Sequence, residues 1–154
     1  MAKRIAVLSD THGLLRPQVM EVVKGCDGII HGGDINSQEV LDRLAAVAPV
    51  YVVRGNNDKQ WAQDIPVTLT FQLENCRFFL IHNKKEIPKD LTGVDAVIFG
   101  HSHRYAHQII DGRLWLNPGS CGKRRFDQEI TMAVLTIDGS QIQVEKILIP
   151  QETL

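Results

Sequence analysis

Aromatic side chains make up only 6% of the 154 residues, and there are three cysteines in the whole chain. Cys26, Cys76 and Cys121 are odd in number, widely spaced and form no Cys-x-x-Cys. That pattern excludes a disulfide framework, argues against thiolate metal sites and fits a reducing cytoplasm. Long apolar runs are missing as well. The longest, Leu44 to Val53, is ten residues and is broken by Pro49, against about 20 needed to span a bilayer. Met-Ala-Lys-Arg leads straight into a short strand, so neither a signal peptide nor a membrane partner is expected. No charge of one sign dominates: 17 Lys+Arg stand against 18 Asp+Glu, a formal net charge of −1. This removes the general electrostatic attraction that a nucleic-acid binder usually shows. Repeats, low-complexity stretches and long linkers are also lacking, and residues 1–154 are expected to form one domain. A chain of this size hides roughly 70% of its extended surface on folding, so no disulfide or structural zinc is required. What is present, and unevenly distributed, is histidine: there are six.

Short apolar runs punctuate the chain. Ile5 to Leu8, Gly28 to Ile30, Val50 to Val53, Phe78 to Ile81 and Ala96 to Phe99 are rich in β-branched or aromatic residues and end in Gly, Asn, Asp or His, as buried strands do. A helical pattern runs from Pro17, suited to a first turn, to the stop at Gly25. A second starts at Asn36, with Glu39 three residues on as a capping-box-like pair, and halts at Pro49. From Pro66 onward the texture becomes strand-rich, with period-two alternation over 67–73 and hairpin signals at Asp111-Gly112 and Asp138-Gly139. The order β-α-β-α-β followed by many strands predicts two packed mixed sheets with helices on the outer faces.

Chemistry gathers where those runs end. Ser9 leads to Asp10-Thr11-His12, Ile30 to His31-Gly32-Gly33-Asp34, and Val53 to Arg54-Gly55-Asn56-Asn57-Asp58; Ile81 is followed by His82, and Phe99 by Gly100-His101-Ser102-His103. Ligands of open α/β sheets bind beyond the carboxyl ends of strands, so strands of common direction would converge these groups on one rim. Imidazoles, carboxylates and an amide oxygen suit divalent cations of intermediate hardness such as Mn, Fe, Ni or Zn. Seven such donors are too many for one tetrahedral site. They suit two ions about 3.5–4 Å apart, the kind of site that clamps an in-line displacement at phosphorus.

The ordered set Asp10-x-His12, Gly33-Asp34, Gly55-Asn56-x-Asp58, His82 and Gly100-His101-x-His103 resembles the calcineurin-like metallophosphoesterase superfamily. Asn117-Pro118-Gly119-Ser120 is similar to its small bacterial and archaeal phosphodiesterase branch. The resemblance covers residues 5 to about 125. It implies an α/β fold, a four-layer αββα sandwich with two mixed β-sheets, and a phosphoesterase holding two divalent metals, commonly manganese. Carried over by position, Asp10, His12 and His103 would hold one metal, Asn56, His82 and His101 the second, and Asp34 would bridge. A bridging water acidified by both cations would be the nucleophile, acting on a small phosphodiester. The two cations, two carboxylates and a hydroxide would sum to about +1, complementary to a monoanionic diester.

Two features depart from that pattern. Much of the superfamily carries an imidazole at the position of Asn57, where it is assigned to protonating the leaving group. A carboxamide cannot deliver that proton, and general acid catalysis is typically worth about 10²–10⁴-fold. A preference for good leaving groups, as in aryl phosphodiesters, is expected. The segment Asn83-Lys-Lys-Glu-Ile-Pro88 also reaches the next strand quickly, which predicts an open site.

Other positions have plainer readings. Asp58 is read as orienting its neighbours or capping a helix near Lys59. Arg125, with Arg124, is read as a phosphate-orienting guanidinium, although basic pairs in Gly-rich loops are usually solvated. His31 and His107 are read as structural and surface residues. Other readings of the whole remain: a non-catalytic metal-binding scaffold like the retromer subunit of this fold, a phosphomonoesterase, or a nuclease. The absence of a basic or aromatic-studded groove weighs against the last. Oligomeric state is left open.

Overall fold

The structure, a computed structural model, describes residues 2–122 and 128–150. Its strands are β1 (Lys3–Leu8), β2 (Gly28–His31), β3 (Val50–Val52), β4 (Thr68–Leu73), β5 (Cys76–Ile81), β6 (Ala96–Ile98), β7 (Tyr105–Ile110), β8 (Arg113–Pro118), β9 (Thr131–Asp138) and β10 (Gln141–Leu148). They form two five-stranded sheets, ordered β10-β9-β1-β2-β3 and β4-β5-β6-β8-β7. Both are mixed. In the first, β1, β2 and β3 run parallel and β9 and β10 return antiparallel. In the second, β5, β6 and β8 are the parallel centre between antiparallel edges.

The connections follow from local chemistry. Parallel neighbours need a crossover, supplied by helices α1 (Pro17–Val23) and α2 (Gln38–Ala45). Pro17 sits in the first turn of α1, where its missing N–H costs nothing. Helix α2 begins two residues later than the sequence suggests. Ser37 is its N-cap, and its side chain accepts from the Glu39 N–H at 3.2 Å. Asn36 instead adopts a left-handed backbone, φ 66°. The β7–β8 turn is Asp111-Gly112, both with positive φ, matching the right-handed twist of a two-residue hairpin.

Three apolar layers hold the sheets in place. Ile5, Val7, Leu135 and Ile137 of the first sheet meet Phe78, Leu80, Ile98 and Leu116 of the second in the central layer. Each such buried side chain contributes about 1.5–3 kcal/mol relative to exposure. Val19, Val23, Val40 and Leu44 cover the outer face of the first sheet from α1 and α2. Phe79, Ile81, Val97 and Phe99 on the outer face of the second pack under Ile87, Leu91 and Val94.

That last layer is thin: a 3₁₀ turn, Lys84–Glu86, and extended chain cover it, and among the described residues no α-helix does. Pro88 explains this, because a residue before proline is pushed out of the helical region. Ile87 accordingly sits at φ −67°, ψ 129°, and the turn stops there.

Candidate metal centre

The carboxyl ends of β1, β2, β3, β5 and β6 do converge, and the backbone there is bent into an uncommon shape. Asp10, His12, Asp34, Asn36, His101 and His103 all have φ between 48° and 75°, the left-handed region. Among the described residues the other non-glycine positions there, Glu74 and Asp111, lie in hairpin turns. Such conformations cost of order 1–3 kcal/mol each unless the surroundings fix them. Around Asp10, His12 and Asp34 a ladder between two rim loops fixes them: Asp10 N–H donates to Gly33 O at 2.9 Å, His12 N–H to Asp34 O at 3.0 Å, and Gly13 N–H to Ile35 O at 2.8 Å. Two glycines let the loops approach this closely. A Cβ on Gly55 would collide with the Asp34 carboxylate, and one on Gly100 with Ser9 Oγ and the Asp10 carboxylate.

The side chains fall into two groups whose ligand atoms lie within 4.8 Å of one another: Asp10, His12 and His103, and Asp34, His82 and His101. In the first, Asp10 is fully buried. Its Oδ2 accepts from Ser9 Oγ at 2.8 Å and from the His101 N–H at 3.1 Å. Its Oδ1 has no hydrogen-bond partner. That oxygen faces Nε2 of His103, His12 and His82 at 3.4, 3.8 and 3.9 Å. In the second group His82 Nε2 lies 3.2 Å from Asp34 Oδ2 and 3.3 Å from His101 Nδ1. Asp34 Oδ2 is also 3.8 Å from His12 Nε2, so this carboxylate lies within reach of both groups.

These residues fit divalent cations. A buried carboxylate oxygen ringed only by imidazole nitrogens is costly unless a cation or proton joins them. The His12–His103 and His82–His101 nitrogen separations, 3.4 and 3.3 Å, match two imidazoles sharing one ion about 2.1 Å away. Ring orientation is prepared too. His82 Nδ1–H donates to Gly32 O at 2.7 Å, leaving Nε2 as the free ligand atom. His12 Nδ1 lies 3.2 Å from the Asn36 carboxamide.

Without a cation, the charges lean on one another. Burial alone would raise Asp10, but the imidazoles of His103, His12 and His82 ranged around it outweigh burial and hold the carboxyl below its ordinary value. Asp34 is likewise lowered, burial being overcome by His82 and the Asn57 N–H. His82 is raised: burial opposes its charge, but Asp34 and Asp10 prevail.

The loop after β3 contributes differently from the sequence expectation. Asn56 lies exposed beside His82, and among the described residues its carboxamide has no hydrogen-bond partner. Asn57 is the one that grips the centre. Its N–H donates to Asp34 Oδ1 at 2.9 Å and its Nδ2 to Oδ2 at 3.0 Å. Asp58 is buried and orients its neighbours: its carboxylate accepts from the N–H groups of Ile35, Asn36 and Gly55 at 2.8–3.1 Å. The short 3₁₀ turn Gln60–Ala62 has no side-chain cap, so Asp58 is not capping there. Arg125 lies outside the described residues.

Two further braces went unread in the sequence. Ser9, next to Asp10, ties up one carboxylate oxygen and thereby leaves the other facing the imidazoles; its adjacency was the only signal. Asn36, whose sequence context signals only a helix start, instead places its carboxamide against His12 Nδ1. Asn117, buried on β8, donates to Gly100 O at 3.1 Å and Ser102 Oγ at 3.0 Å, and Ser120 Oγ donates to Asp10 O at 3.0 Å. The Asn-Pro-Gly-Ser turn thus supports the rim from below. His31 is buried, its Nδ1 accepting from the Gly33 N–H and its Nε2 3.0 Å from Thr11 Oγ1. Desolvation pulls its pKa down to about 4, so it serves as a neutral strut.

Fold and site together define a phosphoesterase-type α/β scaffold with a prospective metal centre on its rim. The chain belongs to the calcineurin-like phosphoesterase superfamily, whose domain matches residues 4–140. It is 31% identical over 157 residues to a probable metallophosphoesterase of Methanothermobacter thermautotrophicus, covering 93% of this chain and 91% of that one. It is 27% identical over 140 residues to a phosphodiesterase of Methanocaldococcus jannaschii, covering 77% and 84%. The fold also matches Vps29 of Entamoeba histolytica complexed with Zn²⁺, at a TM-score of 0.73 and 23% identity, over 94% of this chain and 98% of that one.

Proposed function

We propose that the chain is a phosphodiesterase acting through two divalent metals, with manganese preferred and nickel, zinc or iron as substitutes. One observation carries this reading: two adjacent buried donor groups with Asp34 in reach of both. Bound metals would acidify a water and offset charge on phosphoryl oxygens, work that typically needs no further covalent group on the protein. Asp10, His12 and His103 would hold one ion, and His82, His101 and Asn56 the other. Asn56 must turn its carboxamide inward from its exposed position to do so. Asp34 would bridge, kept in orientation by Asn57.

Asn57 sets the substrate class. Its backbone N–H and one N–H of its carboxamide are engaged by Asp34, and a carboxamide holds no transferable proton. The leaving group must therefore depart unaided, which favours small aryl phosphodiesters over alkyl monoesters. The near-neutral chain, at −1, favours no polyanion, so nucleic acid is not the proposed substrate. Among the described residues no helix is long and apolar enough to cross a membrane. Three free, buried cysteines support a cytoplasmic placement.

The test is bis-aryl phosphodiester hydrolysis by metal-stripped protein reconstituted with Mn²⁺, Ni²⁺, Zn²⁺ or Mg²⁺, comparing wild type with Asp34→Asn and His103→Ala. Loss of turnover in both variants supports the two-metal reading, and unchanged rates sink it. The scaffold reading stays alive on Asn57 itself, since the residue that would deliver a proton is absent. Stoichiometric metal binding with no turnover under any metal would favour it.

A further inference from the structure

Two hollows flank the donor groups. One, of about 320 Å³, lies on the His82 side and is lined by Arg54 together with Glu86 and Asp58. The other, of about 510 Å³, opens from His103 and is lined by Arg104, Tyr105, Glu129, Thr131 and Lys146, with Gln128. Its size suits a drug-sized or nucleotide-sized group. Charge separates the two hollows: the second carries two cations against one carboxylate. Lys146 is already engaged, with Nζ 3.3 Å from Glu129 Oε2 and 5.0 Å from the centre of the Tyr105 ring. Arg104 is not. Its backbone N–H donates to Ser102 Oγ at 3.3 Å, but its exposed guanidinium pairs with no carboxylate among the described residues. Among the described residues, then, a cation without a carboxylate partner stands one residue from His103, inside the larger hollow.

We propose that this hollow receives one ester arm of the substrate and that Arg104 binds a second phosphate carried by that arm. The preferred substrate is then a phosphodiester bearing a further phosphate, such as a 3′-phosphorylated nucleotide ester. The arm's identity as an ester rests on the phosphodiesterase reading above; the anion site does not. A guanidinium presents paired N–H groups that match phosphate oxygens, and the contact strengthens away from bulk water. An arm without the second phosphate leaves Arg104 in water and gains nothing from it.

A matched pair of substrates tests this: the p-nitrophenyl ester of thymidine 5′-phosphate with and without a 3′-phosphate, both releasing the same phenolate. With Mn²⁺, wild type should show a KM about tenfold lower for the 3′-phosphorylated ester, and Arg104→Gln should bring the two within about twofold. Lys24→Gln, on the far surface beside α1, should keep the wild-type ratio. In parallel, calorimetric titration of the metal-loaded protein with thymidine 3′,5′-bisphosphate should show about tenfold weaker binding in Arg104→Gln. A wild-type ratio near one, or a ratio that Arg104→Gln leaves in place, overturns the proposal. If neither ester turns over, the bisphosphate titration decides: binding that depends on Arg104 upholds the anion site while the phosphodiesterase reading falls, and binding independent of Arg104, or none, overturns both.

Discussion

The two donor groups are built from the same residue types yet differ in how their carboxylates are spent. Asp10 has one oxygen doubly satisfied, by Ser9 and the His101 N–H, and the other free of any hydrogen bond. Asp34 has both oxygens taken by Asn57, with His82 close by. Exposure differs in the same sense, because His103 is buried whereas His101 is exposed. A free buried oxygen gains most from a cation, while a carboxylate already hydrogen-bonded gains less. The first group should therefore hold its ion more tightly. The second should be the exchangeable one.

The strongest way to break that comparison is to remove what the groups share. Asp34→Asn should cut aryl diester hydrolysis by about 10³-fold, the equivalent of several kcal/mol of lost charge stabilisation, in steady-state assays. Loss of less than about tenfold would show that the groups do not act through a common carboxylate. Next in size, stepwise chelation followed by metal analysis should release the ions in two phases. His101→Ala should abolish the fast phase and leave the slow one, and an effect on the slow phase alone would reverse the ranking. Asn57→Ala frees Asp34, and loss of such an outer contact typically costs about 10–100-fold in metal affinity. Asn57→His is the complementary probe, with a gain on alkyl monoesters expected from the restored proton donor.

The smallest effect concerns the metal-free protein and its dependence on pH. His31 titrates near 4 when folded and near 6.5 when not, so the unfolded chain takes up that proton first and stability falls as pH drops between those values. His82 is held above 6.5, so its contribution is complete below that value and is lost as pH rises through its folded pKa. Asp10 and Asp34, held below 3.8, add a further loss only in stronger acid. Urea midpoints should peak near neutrality, and His31→Gln should flatten the limb between pH 6.5 and 4.

Much of this is legible in the sequence. Each short β-branched run ends in a donor, and strands of like direction deliver those donors to one rim, so their convergence was legible, whereas the division into two groups was implied only by the family resemblance, because His103 joins Asp10 and His12 from far along the chain. What was not readable depends on contacts far apart in sequence. Asn36 and Ser37 are both good helix caps; Ser37 takes the role because Asp58, over twenty residues away, holds the Asn36 N–H. Likewise nothing local distinguishes Asn56 from Asn57, and only the position of Asp34 selects which amide it meets. The left-handed backbone at Asp10, His12 and Asp34 was equally silent, since it is held by the ladder between two loops. The expected helical cover on the second sheet is reduced to a 3₁₀ turn because Pro88 arrives too soon.

That thin cover reaches beyond packing. Segments with little regular hydrogen bonding open locally at a fraction of the global free energy, and the stretch from Asn83 to Val94, with a single 3₁₀ turn, is built that way. It begins at the residue next to His82. Amide hydrogen exchange should therefore be faster there than in the helical cover of the first sheet, and each opening would loosen the chain that carries the His82 imidazole of the second donor group.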